Sequence, residues 1–134
     1  MALQLSETVR NARLDAIETT IGTSPTLEIR TGAQPANTAA ADSGTLLANL
    51  SLPSDWMAAA ASGSKAKSGT WQDTSADGTG TAAHFHIKSS GGTVHMQGSV
   101  TATGGGGDLT VDNTSFAAGQ AFTITAFTLT DANA

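Results

Sequence analysis

Three histidines are the side chains best able to do chemistry in this sequence of 134 residues. His84 and His86 stand two apart, so on a strand they share a face, and a returning hairpin strand brings His95 alongside. Three neutral imidazoles are enough to hold zinc. Two features weigh against that use. No carboxylate lies close in sequence to orient the rings, and Gln97 and Lys88 fall on the same face, which therefore reads as a polar sheet surface. The expectation is no metal site and no cofactor.

Other candidates are weaker. Asp73 and Asp77 are four apart and do not match the spacing of a calcium loop, so turn-forming roles are expected. The run Gly104 to Gly107 lacks the Lys-Ser/Thr of a phosphate-binding loop and precedes a strand, which makes it a connector. Ser and Thr are abundant, but no GxSxG elbow accompanies them, and the histidines crowd one hairpin. No catalytic residue is assigned, and the sequence predicts a protein that is not an enzyme.

Composition points the same way. The chain has no Cys or Tyr, only six aromatic residues and 13% charged residues, against 24 Ala, 21 Thr and 15 Gly. Reactive side chains are too scarce for most active sites, whereas Thr-rich, weakly charged chains suit β scaffolds. The net charge is −5, and the six cations are scattered at Arg10, Arg13, Arg30, Lys65, Lys67 and Lys88. Phosphate backbones reward clustered cations, so nucleic acid is not an expected partner. No cationic and apolar leader opens the sequence, and no window approaches the roughly 20 apolar residues that span a bilayer. A soluble product of the cytoplasm without membrane contact is expected.

The elements that must position these residues are a helix and a series of short strands. Leu14, Ile17 and Ile21 recur at helical spacing within Ser6 to Ile21, with Ser6 as cap and Gly22 as stop. That stripe either covers the β domain or, being terminal, meets a neighbouring subunit, and Leu14, Ile17 and Ile21 are the candidate interface residues. Alternation then predicts strands at 26–30 and 45–52, with an exposed loop from Gly32 to Gly44 between them. Pro53-Ser54-Asp55 followed by Trp56, Met57 and four alanines predicts a short helical segment, with Trp56 in the core. A short strand at 70–72 follows.

A hairpin of 81–88 with 93–101, turning at Ser90-Gly91, pairs Ile87 with Val94, Phe85 with Met96 and His86 with His95. Residues 108–113 form a further strand. The stretch 120–130 reads as one central strand whose apolar phase switches near Ala126-Phe127, through a bulge or through burial on both faces. The predicted fold is mainly β: an N-terminal helix or arm over 1–22, then an antiparallel β-sandwich of jelly-roll type over 23–134.

Four segments carry a family resemblance: Leu14-Asp15-Ala16-Ile17-Glu18-Thr19, Ser54 to Ala61, Ser68 to Asp73, and Phe122 to Thr130. They resemble small structural proteins encoded by tailed bacteriophages and prophages, and the likeness spans nearly the whole chain. It implies a virion protein, most naturally a capsid decoration (cement) protein that binds major capsid subunits and copies of itself as a dimer or trimer. The alternatives are a tail-associated protein, at the tail tip or in a fibre, and a carbohydrate- or receptor-binding module using Trp56 and Trp71. No functional residue is carried over from the family.

Overall fold

The computed structural model describes residues 3–131. Ser6 adopts an extended conformation and its Oγ accepts from the Val9 N–H at 3.3 Å, which starts helix α1 at Glu7–Ile21. Gly22 ends it, its N–H donating to the Glu18 carbonyl at 2.9 Å. The chain then forms eleven short strands among the described residues. In order these are β1 (Thr26–Arg30), β2 (Leu46–Ser51), β3 (Ser64–Ala66), β4 (Trp71–Asp73), β5 (Gly80–Thr81) and β6 (His84–Lys88). They continue with β7 (Val94–Ala102), β8 (Leu109–Val111), β9 (Ser115–Phe116), β10 (Phe122–Ile124) and β11 (Thr128–Thr130). The protein is mainly β with one helix at its N-terminal end.

Five strands make the principal sheet, in the order β2-β1-β6-β7-β8. Its pairings are antiparallel except the last: β7 and β8 run parallel, with Val100 opposite Leu109 and Ala102 opposite Val111. The expected all-antiparallel pattern therefore fails at this edge. Parallel partners normally need a long crossover. Here only three residues of each strand pair, and the glycine loop carries the chain back to the start of the paired stretch, with Gly104 at φ +88°, Gly106 at φ +80° and the Gly107 N–H donating to Thr101 Oγ1. Three two-stranded ladders, β10-β4, β11-β3 and β5-β9, complete the β structure.

One face of the sheet carries Leu27, Ile29, Ala48, Leu50, Phe85 and Ile87, all buried. Period-two alternation puts them together because their strands pair in register: Leu27 opposes Leu50 and Ile87, and Ile29 opposes Ala48 and Phe85. Against this face lie aromatic rings from the ladders and their flanks. Phe85 meets Phe127 edge-on at 5.8 Å, Phe127 meets Trp71 at 5.5 Å, and Trp71 meets Trp56 at 6.0 Å.

Two expected elements take another form. The Trp56 to Ala61 segment is not helical. Met57 bridges Lys67, and Ala61 and Ser64 exchange both backbone hydrogen bonds around Ser62-Gly63, where both residues have positive φ. That is the turn of a tight hairpin, and it overrides the helical preference of the alanines. The stretch 120–130 is not one strand either. β10 pairs with β4 and β11 with β3, and the apolar phase changes because the chain leaves one ladder for the other at 125–127. Phe127 is buried in that break.

The helix is fastened to the body by polar contacts as much as by apolar ones. Leu14 and Ile21 are buried and Ile17 packs against the core. Lys65 on β3 is 1% exposed, and its ammonium donates to Asp15 Oδ1 at 2.6 Å, Glu18 Oε2 at 2.7 Å and the Ala58 carbonyl at 2.9 Å. Asn11 Oδ1 accepts from the Gly63 N–H, Arg13 pairs with Asp131, and Trp56 Nε1 donates to the Gly22 carbonyl at 2.9 Å. The three residues proposed as an interface thus already have intramolecular neighbours. No helix among the described residues is long and apolar enough to cross a membrane.

Candidate functional site

The second face of the sheet, opposite the apolar core, holds the histidines. Glu28 and Arg30 on β1, His84, His86 and Lys88 on β6, and Gln97 on β7 alternate with the core positions and so share this face. The segment 32–44 folds back across it. Most of its own residues are exposed, as expected, yet its inner side covers the imidazoles: His84 is 0% and His86 1% exposed. The imidazoles are covered within the chain itself, where the sequence suggested a solvated or interfacial sheet surface.

The neck of the covering loop is tied at both ends. The Thr31 N–H donates to the Thr45 carbonyl at 3.1 Å, and the Thr45 N–H donates to Thr31 Oγ1 at 2.8 Å. Gly44 passes so close that a Cβ there would overlap the Thr31 carbonyl oxygen, and its φ is +70°. Gly44→Ala is expected to cost about 1–3 kcal/mol through this clash and backbone strain. Urea denaturation measures the loss, and limited proteolysis should show faster cleavage confined to 32–44.

Within the layer the charges alternate. Glu28 Oε1 accepts from Arg30 Nε at 3.0 Å, and Lys88 Nζ lies 3.1 Å from the same oxygen. Asp42, from the loop, binds Lys88 Nζ at 2.7 Å and Arg30 Nη2 at 3.3 Å, both through Oδ2. Its other oxygen, Oδ1, is 3.1 Å from His86 Nδ1. The hydrogen bond from Lys88 is the main reason the Asp42 carboxyl is held below its ordinary value. Burial opposes the Lys88 charge, but hydrogen bonds to Asp42 and Glu28 outweigh it and leave the ammonium more firmly protonated than usual. For His86 burial wins. It pushes the imidazole down against the pull of Asp42, and His84, Lys88 and Arg30 add to the depression, so His86 is neutral near pH 7.

The histidines are unequally satisfied. His84 Nδ1 is 2.9 Å from the Gly32 carbonyl, which can only accept, so that nitrogen carries a proton. His84 Nε2 is buried without a partner, as are both ring nitrogens of His86 and Gln97 Oε1. The approach of His86 Nδ1 to Asp42 is short but lacks the geometry of a hydrogen bond. Gln97 does anchor the loop, Nε2 donating to the Pro35 carbonyl at 2.9 Å.

His95 is elsewhere. The hairpin register is Ile87 opposite Met96, Phe85 opposite Gly98 and His86 opposite Gln97, two residues from the expected pairing. A longer turn causes this: the Ser89 N–H donates to the Thr93 carbonyl, and His95 is the extra residue of a bulge between the Ile87-Met96 and Lys88-Val94 pairs. A two-residue shift keeps every side chain on its face, so the apolar match survives while the trio of imidazoles does not. His95 instead lines a shallow groove with Arg13, Ile17 and Thr20 of α1. Comparison with protein families, curated proteins and solved structures returns no match.

Other sequence candidates have structural partners. Asp73 Oδ1 accepts from the Ser75 N–H and Oδ2 from the Asn49 N–H, forming a turn and holding it to β2. An open cleft of about 550 Å³ between α1 and residues 54–59 is lined by Asp15, Glu18, Asp55 and Lys65, but its cation is committed to two carboxylates. The residues sequence reasoning missed are Asp42 and Glu28. Glu28 was legible as a polar position of a strand, whereas Asp42 lies 44 residues from His86 and only the folded loop brings it there.

Proposed function

We propose that this chain is a structural protein of a bacteriophage particle, and that it serves there as a capsid decoration protein binding major capsid subunits. The observation that carries the reading is apolar exposure in the first turn of an anchored helix and in the segment that leads into it. Leu3 is 81% and Val9 45% exposed, while the turns that follow are held by Leu14, Ile21 and the Lys65 ion pairs. Val9, on a helix that is already ordered, binds a neighbour with little further loss of entropy, and Leu3 extends the apolar surface. Repeated over a shell, such modest contacts sum to high avidity, which fits association as a dimer or trimer.

The resemblance of the four segments to phage structural proteins supports the same reading. So does the packing of short ladders against a five-stranded sheet, which we read as a two-layer sandwich of the kind a small wedge between subunits requires. The experiment is cryo-electron microscopy of particles that carry the protein: density on the head surface is expected, and density confined to the tail would overturn the reading. In the companion assay, Leu3→Asp/Val9→Asp should melt like the wild type but bind stripped heads roughly tenfold more weakly, a difference of about 1.4 kcal/mol. Unchanged head binding by that variant removes the helix start from the interface.

A further inference from the structure

We propose that the polar layer beneath residues 32–44 binds one divalent transition-metal ion through His86 Nδ1, Asp42 Oδ1 and a Glu28 carboxylate oxygen. The inference is independent of the virion reading. One donor atom from each of these residues lies within 4.8 Å of the other two. His86 Nδ1 and Asp42 Oδ1 are 3.1 Å apart. Two donors at that separation, each about 2.0–2.2 Å from one ion, subtend roughly 95°, an angle that tetrahedral and octahedral sites both accommodate.

A carboxylate pair alone would say little, because acidic groups gather for many reasons. The independent observation is a buried imidazole without a hydrogen-bond partner. His86 is 1% exposed with both ring nitrogens unpartnered, and its Nδ1 faces Asp42 Oδ1. The His84 and His86 rings are 5.2 Å apart, centroid to centroid. A buried imidazole without a partner is costly, and a cation held at Nδ1 satisfies it.

Arg30 and Lys88 already neutralise the carboxylates, and their contacts define the competition. Both reach Asp42 through Oδ2, leaving Oδ1 turned to His86. The Lys88 ammonium ends a flexible stem at the end of β6 and is partly open to water, so it is the group a metal displaces. An imidazole with two carboxylates selects zinc, cobalt or nickel over magnesium or calcium.

The test uses untagged full-length protein, treated with a chelator and titrated with zinc and cobalt by calorimetry and visible absorption. One equivalent should bind, with a cobalt spectrum showing nitrogen and oxygen ligation. Asp42→Asn and His86→Gln should each weaken binding at least tenfold. Lys88→Met, which removes the competing cation, should strengthen it, an effect that adventitious surface binding would not show. His95→Gln should change nothing. Absence of binding, or binding lost with His95→Gln and kept with Asp42→Asn, overturns the proposal. Asp42 lies on the loop, so its variant remains informative if His86→Gln does not fold.

Discussion

Trp71→Ala is expected to cost about 3–5 kcal/mol, the usual penalty for removing a large buried aromatic side chain. Trp71 is 0% exposed and stands where three parts of the core meet. Its ring contacts Trp56 at 6.0 Å and Phe127 at 5.5 Å, and Phe127 in turn touches Phe85 of the principal sheet. Its Nε1 donates to the Ser68 carbonyl at 3.1 Å, and Lys67 Nζ lies 5.7 Å from the ring centroid. Truncation empties the space between sheet and ladders and leaves a carbonyl unpaired. Domains of this size hold only about 5–15 kcal/mol in total, so roughly a fifth of the stability or more is at stake. Thermal unfolding should show a midpoint lower by roughly 10–20 °C. Trp71→Phe keeps an aromatic filling and should lose less than half as much. A loss below 1 kcal/mol for the alanine variant would mean that sheet and ladders do not depend on this ring for their packing.

What the sequence revealed, and what it hid, follows the range of the forces involved. The helix was legible because its signals are local: Ser6 and Gly22 bracket it, and Leu14, Ile17 and Ile21 mark its inner stripe. The strand at 26–30 was equally legible, since alternation alone defines it. The hairpin was found with its faces correct but its register wrong. Faces depend on a period of two, whereas register depends on the turn and on a bulge at His95 that nothing in the apolar pattern reports. At Trp56 to Ala61, helix-favouring alanines competed with the Ser62-Gly63 turn, and the turn prevailed because it is backed by bridges to Ser64 and Lys67. The parallel β7-β8 pair was hidden by the assumption that parallel strands need long connections. The closed polar layer was hidden most completely. The sequence supplied the shared face of His84 and His86, but Asp42 and the Gly32 carbonyl come from a loop whose composition suggested only solvent exposure.

Lys65 poses the sharpest test of how the helix belongs to the body. Replacing both of its carboxylate partners, Asp15→Asn/Glu18→Gln, leaves a buried ammonium with amide oxygens in place of anions, and the variant should be markedly less stable than the wild type. Adding Lys65→Met to that variant should restore much of the loss, because an apolar side chain of similar length fills the same space and carries no charge to desolvate. If the ion pairs were mere surface decoration, the triple variant would gain nothing. The pH dependence has a definite sign. Asp15 is held below its ordinary value of 3.8, first by the hydrogen bond from Lys65, so its contribution is present above pH 3.8 and fades as pH falls through the lowered native value. On Lys65 burial works against the charge, yet hydrogen bonds to Asp15 and Glu18 prevail and raise it above 10.5, so its contribution is complete below pH 10.5 and fades above. Lys65→Met should therefore flatten both limbs of the stability profile, at acid and at alkaline pH. The same contacts predict that deleting residues 1–22 unfolds the β body, since it removes both carboxylates from Lys65 and uncovers the apolar surface beneath Leu14 and Ile21. A truncated chain that still melted cooperatively near the wild-type temperature would show that the ladders hold Lys65 and the core without the helix.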